Sequence, residues 1–174
     1  FIQINHPKKA LIVSPTYSEY EREVRLNGGE VDYYALQESN DFQLDVEDFC
    51  NTLEREGADL CVICNPNNPT GYLYSEEELQ RLRDIVLSHD LYLFADEVYR
   101  EFRYTDAPYL SALCLEGLEQ NVVVIDSVSK RYSECGTRIG MIVSHNKEAM
   151  AAILKFCQAR LSPPLLGQIV AEAS

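Results

Sequence analysis

The sequence predicts a layered α/β fold built on a mostly parallel sheet. Three observations lead there. Leu11-Ile12-Val13, Leu60 to Ile63, Leu91 to Ala95 and Val122 to Ile125 are continuous apolar runs, the pattern of strands covered on both faces. Stretches with apolar residues at helical spacing separate them, so strand and helix alternate along the chain. Polar clusters follow the strands directly: Ser14-Pro15, Asn65 onward, Asp96 and Ser127. In open parallel sheets ligands sit beyond the carboxyl ends of the strands, so these clusters should meet on one edge.

The elements follow in order. Leu11-Ile12-Val13 is a short strand ending at Ser14-Pro15. Ser18 is placed to cap a helix running to about Asn27, stopped by Gly28-Gly29. Glu30 to Leu36 reads as a strand. Asp45 caps the next helix, with Val46, Phe49 and Leu53 on one face. After the strand Leu60 to Ile63, the segment Asn65-Pro66-Asn67-Asn68-Pro69-Thr70-Gly71 can only be loop. Ser75 with Glu78 forms a capping box, and Leu79, Leu82, Ile85 and Val86 line one helical face behind it. Ile139 to Val143 is a further apolar strand. Asn146 opens a helix expected to turn Met150, Ile153, Leu154 and Cys157 inward. Pro163-Pro164 breaks it before a final helix. Ser14-Pro15 and Asn68-Pro69 are candidates for cis bonds in tight turns. No repeat, low-complexity stretch or linker divides residues 1–174, which read as one domain.

The chain has 174 residues, 46% of them apolar and 25% charged, enough for a real core. Its net charge of −13 comes from 15 basic and 28 acidic residues and shows no basic stripe, which argues against a nucleic-acid partner. No apolar run reaches the roughly 20 residues of a membrane span, and no signal peptide is visible. Cysteines stand at 50, 61, 64, 114, 135 and 157. Cys61 and Cys64 make a CxxC, but it lies in an apolar strand with no second pair or nearby histidine, so neither metal nor disulfide is expected. Reduced thiols fit a cytoplasmic protein. The chain opens on Phe1 and ends in a helical pattern, and is expected to be a segment of a longer protein.

The chemistry gathers behind the strands. Lys130 follows a buried strand, with Ser127, Ser129 and Arg138 close in sequence. An amine that can form an imine needs free base near positive charge or away from water. Two hydroxyls and a guanidinium fork are suited to a phosphate. Asp96, at the end of an apolar strand, needs a partner; a pyridinium N–H is a suitable one. Glu97 points the other way and is the weaker candidate. Asn68 and Tyr99 can donate to a phenolate oxygen, Asn65 and Asn67 can shape the turn, and Tyr17 can stack on a flat ring. Taken singly, each has a structural alternative: a surface lysine, a serine bonded to backbone, an Asp capping the next turn or a packing tyrosine. Together they make a pyridoxal phosphate site the leading expectation.

Three segments carry a resemblance. Asn65-Pro66-Asn67-Asn68-Pro69-Thr70-Gly71, Ala95-Asp96-Glu97-Val98-Tyr99 and Ser127-Val128-Ser129-Lys130, followed by Arg138 and Gly140, resemble the class I/II aminotransferase family of fold-type-I pyridoxal phosphate enzymes in order and spacing. The similarity runs from about Leu11 to Val143. The run Pro15-Thr16-Tyr17-Ser18-Glu19-Tyr20 is similar to the histidinol-phosphate aminotransferase and threonine-phosphate decarboxylase branches.

The resemblance implies a three-layer α/β/α domain, the large cofactor-binding domain of that fold. Lys130 would form the internal aldimine with pyridoxal 5'-phosphate and shuttle the proton. Asp96 would pair with the pyridine nitrogen, Asn68 and Tyr99 would bond the ring oxygen, and Tyr17 would stack on the ring. Ser127, Ser129 and Arg138 would hold the phosphate. The implied activity moves an amino group between an amino acid and a 2-keto acid, in a protein that is typically a homodimer. The same residues would serve an amino-acid decarboxylase or a carbon–sulfur lyase, and a transcription regulator can carry an effector-sensing domain of this fold. The family's upstream phosphate loop and C-terminal small domain would lie outside residues 1–174. This chain departs from the pattern at Ser133, where many members carry glycine three residues after the lysine.

Overall fold

In the computed structural model, which describes residues 2–174, one six-stranded sheet runs in the order β2-β1-β3-β4-β5-β6. The strands are β1 (Lys9–Ser14), β2 (Glu30–Ala35), β3 (Leu60–Cys64), β4 (Tyr92–Asp96), β5 (Val122–Ser127) and β6 (Gly140–Val143). The first five are parallel, and β6 pairs antiparallel with β5. The helices are α1 (Ile2–Asn5), α2 (Glu19–Leu26), α3 (Val46–Glu56), α4 (Glu76–Ser88), α5 (Val128–Arg131), α6 (Lys147–Ala159) and α7 (Leu165–Ala173).

Two cores explain the three layers. On one face α3 and α4 lay Phe49, Leu53, Leu79 and Leu82 against Leu11, Ile63, Leu93 and Val124 of the strands. On the other, Val24 of α2 covers Ala10, Ile12, Leu60 and Val62, with Ile2 of α1 at the margin. Central β3 is buried along its whole length, as a strand between two layers must be. Burying one side chain the size of Phe49 or Leu53 contributes about 1.5–3 kcal/mol.

Local chemistry sets the helix starts. Asp45 accepts from the Asp48 amide, Asn146 from the Ala149 amide, and Ser75 with Glu78 closes both bonds of a capping box. Ser18 precedes α2 as expected, but its backbone is already helical and its side chain caps nothing. Asn27 ends that helix. The chain then leaves through Gly28, at φ 83°, and Gly29, where a Cβ would come within 2.7 Å of Val24 Cγ1 and 2.9 Å of the Pro7 carbonyl oxygen.

Two details depart from the sequence reading. In α6 only Ala149 and Ile153 are buried, while Leu154 and Cys157 are exposed. Helical spacing marks a stripe that can pack; how much packs depends on the surface opposite, and α6 meets mainly the short α1. Second, three X-Pro bonds are cis: the two anticipated at Ser14-Pro15 and Asn68-Pro69, and also Asn65-Pro66. Cys61 and Cys64 are free thiols inside the sheet, and burial pushes them up to about 12 and about 11. Among the described residues no helix is long and apolar enough to cross a membrane.

Candidate active site

Register brings the strand ends together. Cys64 stands beside Asp96, and Asp96 beside Ile125, on neighbouring parallel strands. The order of strands reverses between β1 and β3, since β2 lies to one side and β4 to the other. A crevice opens at such a reversal, between the loops leaving the two strands. The loop after β1 carries Tyr17; the loop after β3 carries Asn68. Asn67 stitches them, donating from Nδ2 to the Pro15 carbonyl at 3.0 Å and to Thr70 Oγ1 at 2.9 Å, while Thr16 Oγ1 donates to its Oδ1 at 3.3 Å. Asn65 Oδ1 accepts from the Tyr74 amide at 3.1 Å. Both buried asparagines therefore shape the turn, leaving Asn68 at the rim.

The antiparallel return of β6 supplies the other wall. Ser127 pairs with Gly140, so Arg138, two residues earlier, arrives beside the end of β5. Gly140 permits this, since a Cβ there would stand 3.3 Å from the Asp126 carbonyl oxygen. Arg138 itself is left-handed, at φ 57°, and its Nη1 donates to the Cys135 carbonyl at 3.1 Å. Ser127 caps the short α5 by accepting from the Ser129 amide at 3.3 Å, which fixes Lys130 on the next turn of chain.

A cavity of about 420 Å³ lies between these walls, and all eight side chains selected from the sequence line it: Tyr17, Asn68, Asp96, Tyr99, Ser127, Ser129, Lys130 and Arg138. Lys130 Nζ stands 5.7 Å from the Tyr99 ring centroid, within cation–π range. Asp96 Oδ1 accepts from the Val98 amide at 3.1 Å. Its Oδ2 accepts from the Tyr20 hydroxyl at 2.6 Å. Glu97 faces away and is buried, with Oε1 accepting from Ser111 Oγ at 2.9 Å and the Ala112 amide at 2.8 Å. Burial holds its carboxyl above the usual range.

Sequence reasoning passed over two residues at this site. Tyr20 lies one helical turn beyond Tyr17, edge-on to it with ring centroids 5.7 Å apart, and reaches Asp96 across the sheet end. Burial raises its hydroxyl well above the ordinary tyrosine value, so it stays a donor. The three-residue spacing after Tyr17 was the available signal. Asp126 is buried beneath the lysine turn, where Arg131 Nη2 donates to its Oδ2 at 2.7 Å and Arg100 Nη2 lies 3.4 Å away. Its carboxyl is raised by burial. It sits inside an apolar strand run, and only the fold reveals its two arginines.

The donor set has a definite chemistry. It offers one primary amine, a carboxylate already holding a hydroxyl donor, two serine hydroxyls beside a guanidinium, and an amide and a phenol opposite. That set suits a flat, anionic ligand with a ring N–H at one end and a phosphate at the other.

Compared with known proteins, the sequence matches the family Aminotransferase class I and II across residues 1–174. The chain belongs to that family. It is 34% identical over 138 residues to an aspartate aminotransferase of Bacillus subtilis, covering 79% of this chain and 35% of that protein. It is 33% identical over 140 residues to a glutamate-pyruvate aminotransferase of Escherichia coli, covering 80% and 34%. The crystal structure of an aromatic aminotransferase from Pyrococcus horikoshii OT3 superposes with a TM-score of 0.83 at 28% identity, over 94% of this chain and 44% of that one. The chain thus spans less than half the length of these relatives. Its departure at Ser133 has a structural reading: φ there is 57°, the left-handed region in which glycine is free and a serine costs about 1–2 kcal/mol.

Proposed function

We propose that this chain carries the pyridoxal 5'-phosphate site of an aminotransferase acting on an amino acid and a 2-keto acid. The observation that carries the reading is the convergence of Lys130, Asp96 and Arg138 with five further polar or aromatic side chains on one cavity at the carboxyl edge of the sheet. The residues fit the group: Asp96 presents an ionisable carboxylate where a ring nitrogen needs a counter-charge, and the serines and guanidinium stand together where a phosphate needs donors.

Ser127, Ser129 and Arg138 would bind the phosphate, the arginine as a two-pronged donor. Asp96 would hold a proton on the ring nitrogen, with Tyr20 fixing the orientation of its carboxylate. Asn68 and Tyr99 would donate to the ring oxygen, and Tyr17 would cover the ring face. Lys130 would attach the cofactor and, once free, carry the substrate Cα proton. When bound, the cofactor supplies an electron sink for the carbanion left at Cα. The chain would be the large domain of a longer protein, homodimeric and cytoplasmic, whose substrate-selecting residues lie elsewhere. The relatives described above are all aminotransferases by name, and no feature of the cavity favours decarboxylation, carbon–sulfur cleavage or effector sensing.

The test is the imine. Borohydride treatment of the cofactor-loaded protein should fix the cofactor covalently to Lys130, located by mass spectrometry of the digest. Lys130→Ala should lose both the visible imine band and the reducible adduct, and transamination should fall by more than the roughly 10²–10⁴-fold of a lost acid–base group. An adduct retained in Lys130→Ala would reject the assignment.

A further inference from the structure

A second cluster of ligating side chains lies away from the cavity. Cys50 and Glu54 are one turn apart on α3, and His89 caps the carboxyl end of α4. His89 Nε2 is 3.9 Å from Cys50 Sγ and 3.5 Å from Glu54 Oε1, and the three ligand atoms all lie within 4.8 Å of one another. His89 leads into β4 at the end opposite Asp96, so the cluster sits toward the edge of the sheet remote from Lys130.

We propose that Cys50, Glu54 and His89 form a binding site for a divalent transition-metal ion of the Zn²⁺ class. A tetrahedral zinc centre with ordinary bond lengths sets sulfur–nitrogen and nitrogen–oxygen edges of about 3.6 Å and about 3.4 Å. The observed edges of 3.9 Å and 3.5 Å exceed these by about 0.3 Å and about 0.1 Å, and the sulfur–oxygen edge, within 4.8 Å, closes by side-chain rotation of the exposed Glu54. One imidazole nitrogen faces both the thiol and the carboxylate, as a shared metal requires. The ligand set is one sulfur, one nitrogen and one oxygen, leaving a fourth position for water. Hard cations such as Mg²⁺ and Ca²⁺ prefer all-oxygen sets.

Binding involves no redox change. Cys50 releases its thiol proton to solvent and binds as thiolate, Glu54 binds as carboxylate, and His89 gives the Nε2 lone pair while its proton rests on Nδ1. Two anionic ligands balance the ion's two charges. A thiol ligates only as thiolate, so one proton should leave per ion bound. The imidazole is partly exposed and the carboxylate exposed, giving the ion a path, and the net charge of −13 favours cations near the surface. The buried thiols of Cys61 and Cys64 offer no such path. The ion would clamp α3 to the turn between α4 and β4.

Titration calorimetry with Zn²⁺ alone, on the cofactor-loaded protein after chelation and dialysis, should give one ion per chain. Cys50→Ser and His89→Asn should weaken it by roughly 100-fold or more, and Glu54→Gln by about tenfold, on the scale of lost ligands and their supports. Cys114→Ser, which alters an exposed cysteine elsewhere, should change nothing. Co²⁺ should give a tetrahedral visible spectrum with a thiolate charge-transfer band, lost in Cys50→Ser. Absence of stoichiometric Zn²⁺ binding would leave the cluster a histidine–carboxylate contact beside a thiol and overturn the proposal. So would a Co²⁺ thiolate band that survives in Cys50→Ser, or in His89→Asn should the first variant fail to fold.

Discussion

The body of the sheet and the stretch from β6 to α7 carry similar apolar patterns with opposite outcomes. In the body, Phe49, Leu53, Leu79, Leu82 and Leu93 are at most 1% exposed. In α7, Leu165, Leu166 and Ile169 are 70%, 76% and 52% exposed, and in β6 Met141 and Val143 stand in solvent. Inside its edge strand β2, the body has helices on both faces and strands on both sides, so the stripes of α3 and α4 meet an apolar surface. Beyond β6 the sheet ends. There α7 docks mainly at Gly167, where a Cβ would stand 2.8 Å from the Thr137 carbonyl oxygen. A hydrophobic stripe shows that a helix can pack; the topology decides whether a surface is offered to it.

The largest loss is expected at the centre of the body. Phe49→Ala removes a fully buried ring that meets Tyr34 edge-on at 5.2 Å. The expected loss is about 3–5 kcal/mol, from transfer and the cavity left behind. Urea denaturation measures it, and a loss under 1 kcal/mol would show that the body's close packing is not what holds the fold.

The rim of the site should lie between the two regions. Tyr20→Phe deletes the donor to Asp96 while keeping the ring, at an expected cost of about 1.5–3 kcal/mol for a hydrogen bond to a charged group. Measured on the cofactor-free protein, an unchanged stability would mean that water replaces the hydroxyl and that the rim is as open as the arm formed by β6 to α7.

Legibility in the sequence followed the same division. The body's strands were readable because continuous apolar runs need cover on both faces, and the helix starts at Asp45, Ser75 and Asn146 because capping is local chemistry. The eight cavity residues were readable because a parallel sheet delivers strand ends to one edge. Tyr20 and Asp126 were not, since each is defined by a partner far off in sequence or across the lysine turn: Tyr20 by Asp96, Asp126 by Arg100 and Arg131. Leu154 and Cys157 were misplaced inward because periodicity carries no information on whether a surface stands opposite the stripe.

A pH series probes Glu97, the carboxyl buried just beyond the end of β4. Glu97 is raised by burial, so its protonated form is the one the fold favours. Its contribution is fully present below the unfolded value near 4.5 and is lost as pH rises through the folded value. Glu97→Gln, which keeps an acceptor for the Ala112 amide, should remove that decline. Relative to the parent, the variant's urea midpoint should rise between acid and neutral pH. A difference that stays flat over this range would show that Glu97 titrates alike in both states.

The smallest effect is expected in the arm. Leu166 is 76% exposed, so Leu166→Ser deletes little buried area, and its cost should stay within about 0.5 kcal/mol, the ordinary range for surface substitutions. Gly167→Ala, one residue on, presses a methyl group onto the Thr137 carbonyl and should be felt more, because it moves the whole of α7 off the turn that carries Arg138. The pair separates two descriptions of the arm. If contact at Gly167 alone holds α7, the leucine is silent and the glycine is not. A Leu166→Ser loss above 1 kcal/mol would place that side chain in a packed environment and erase the contrast between body and arm.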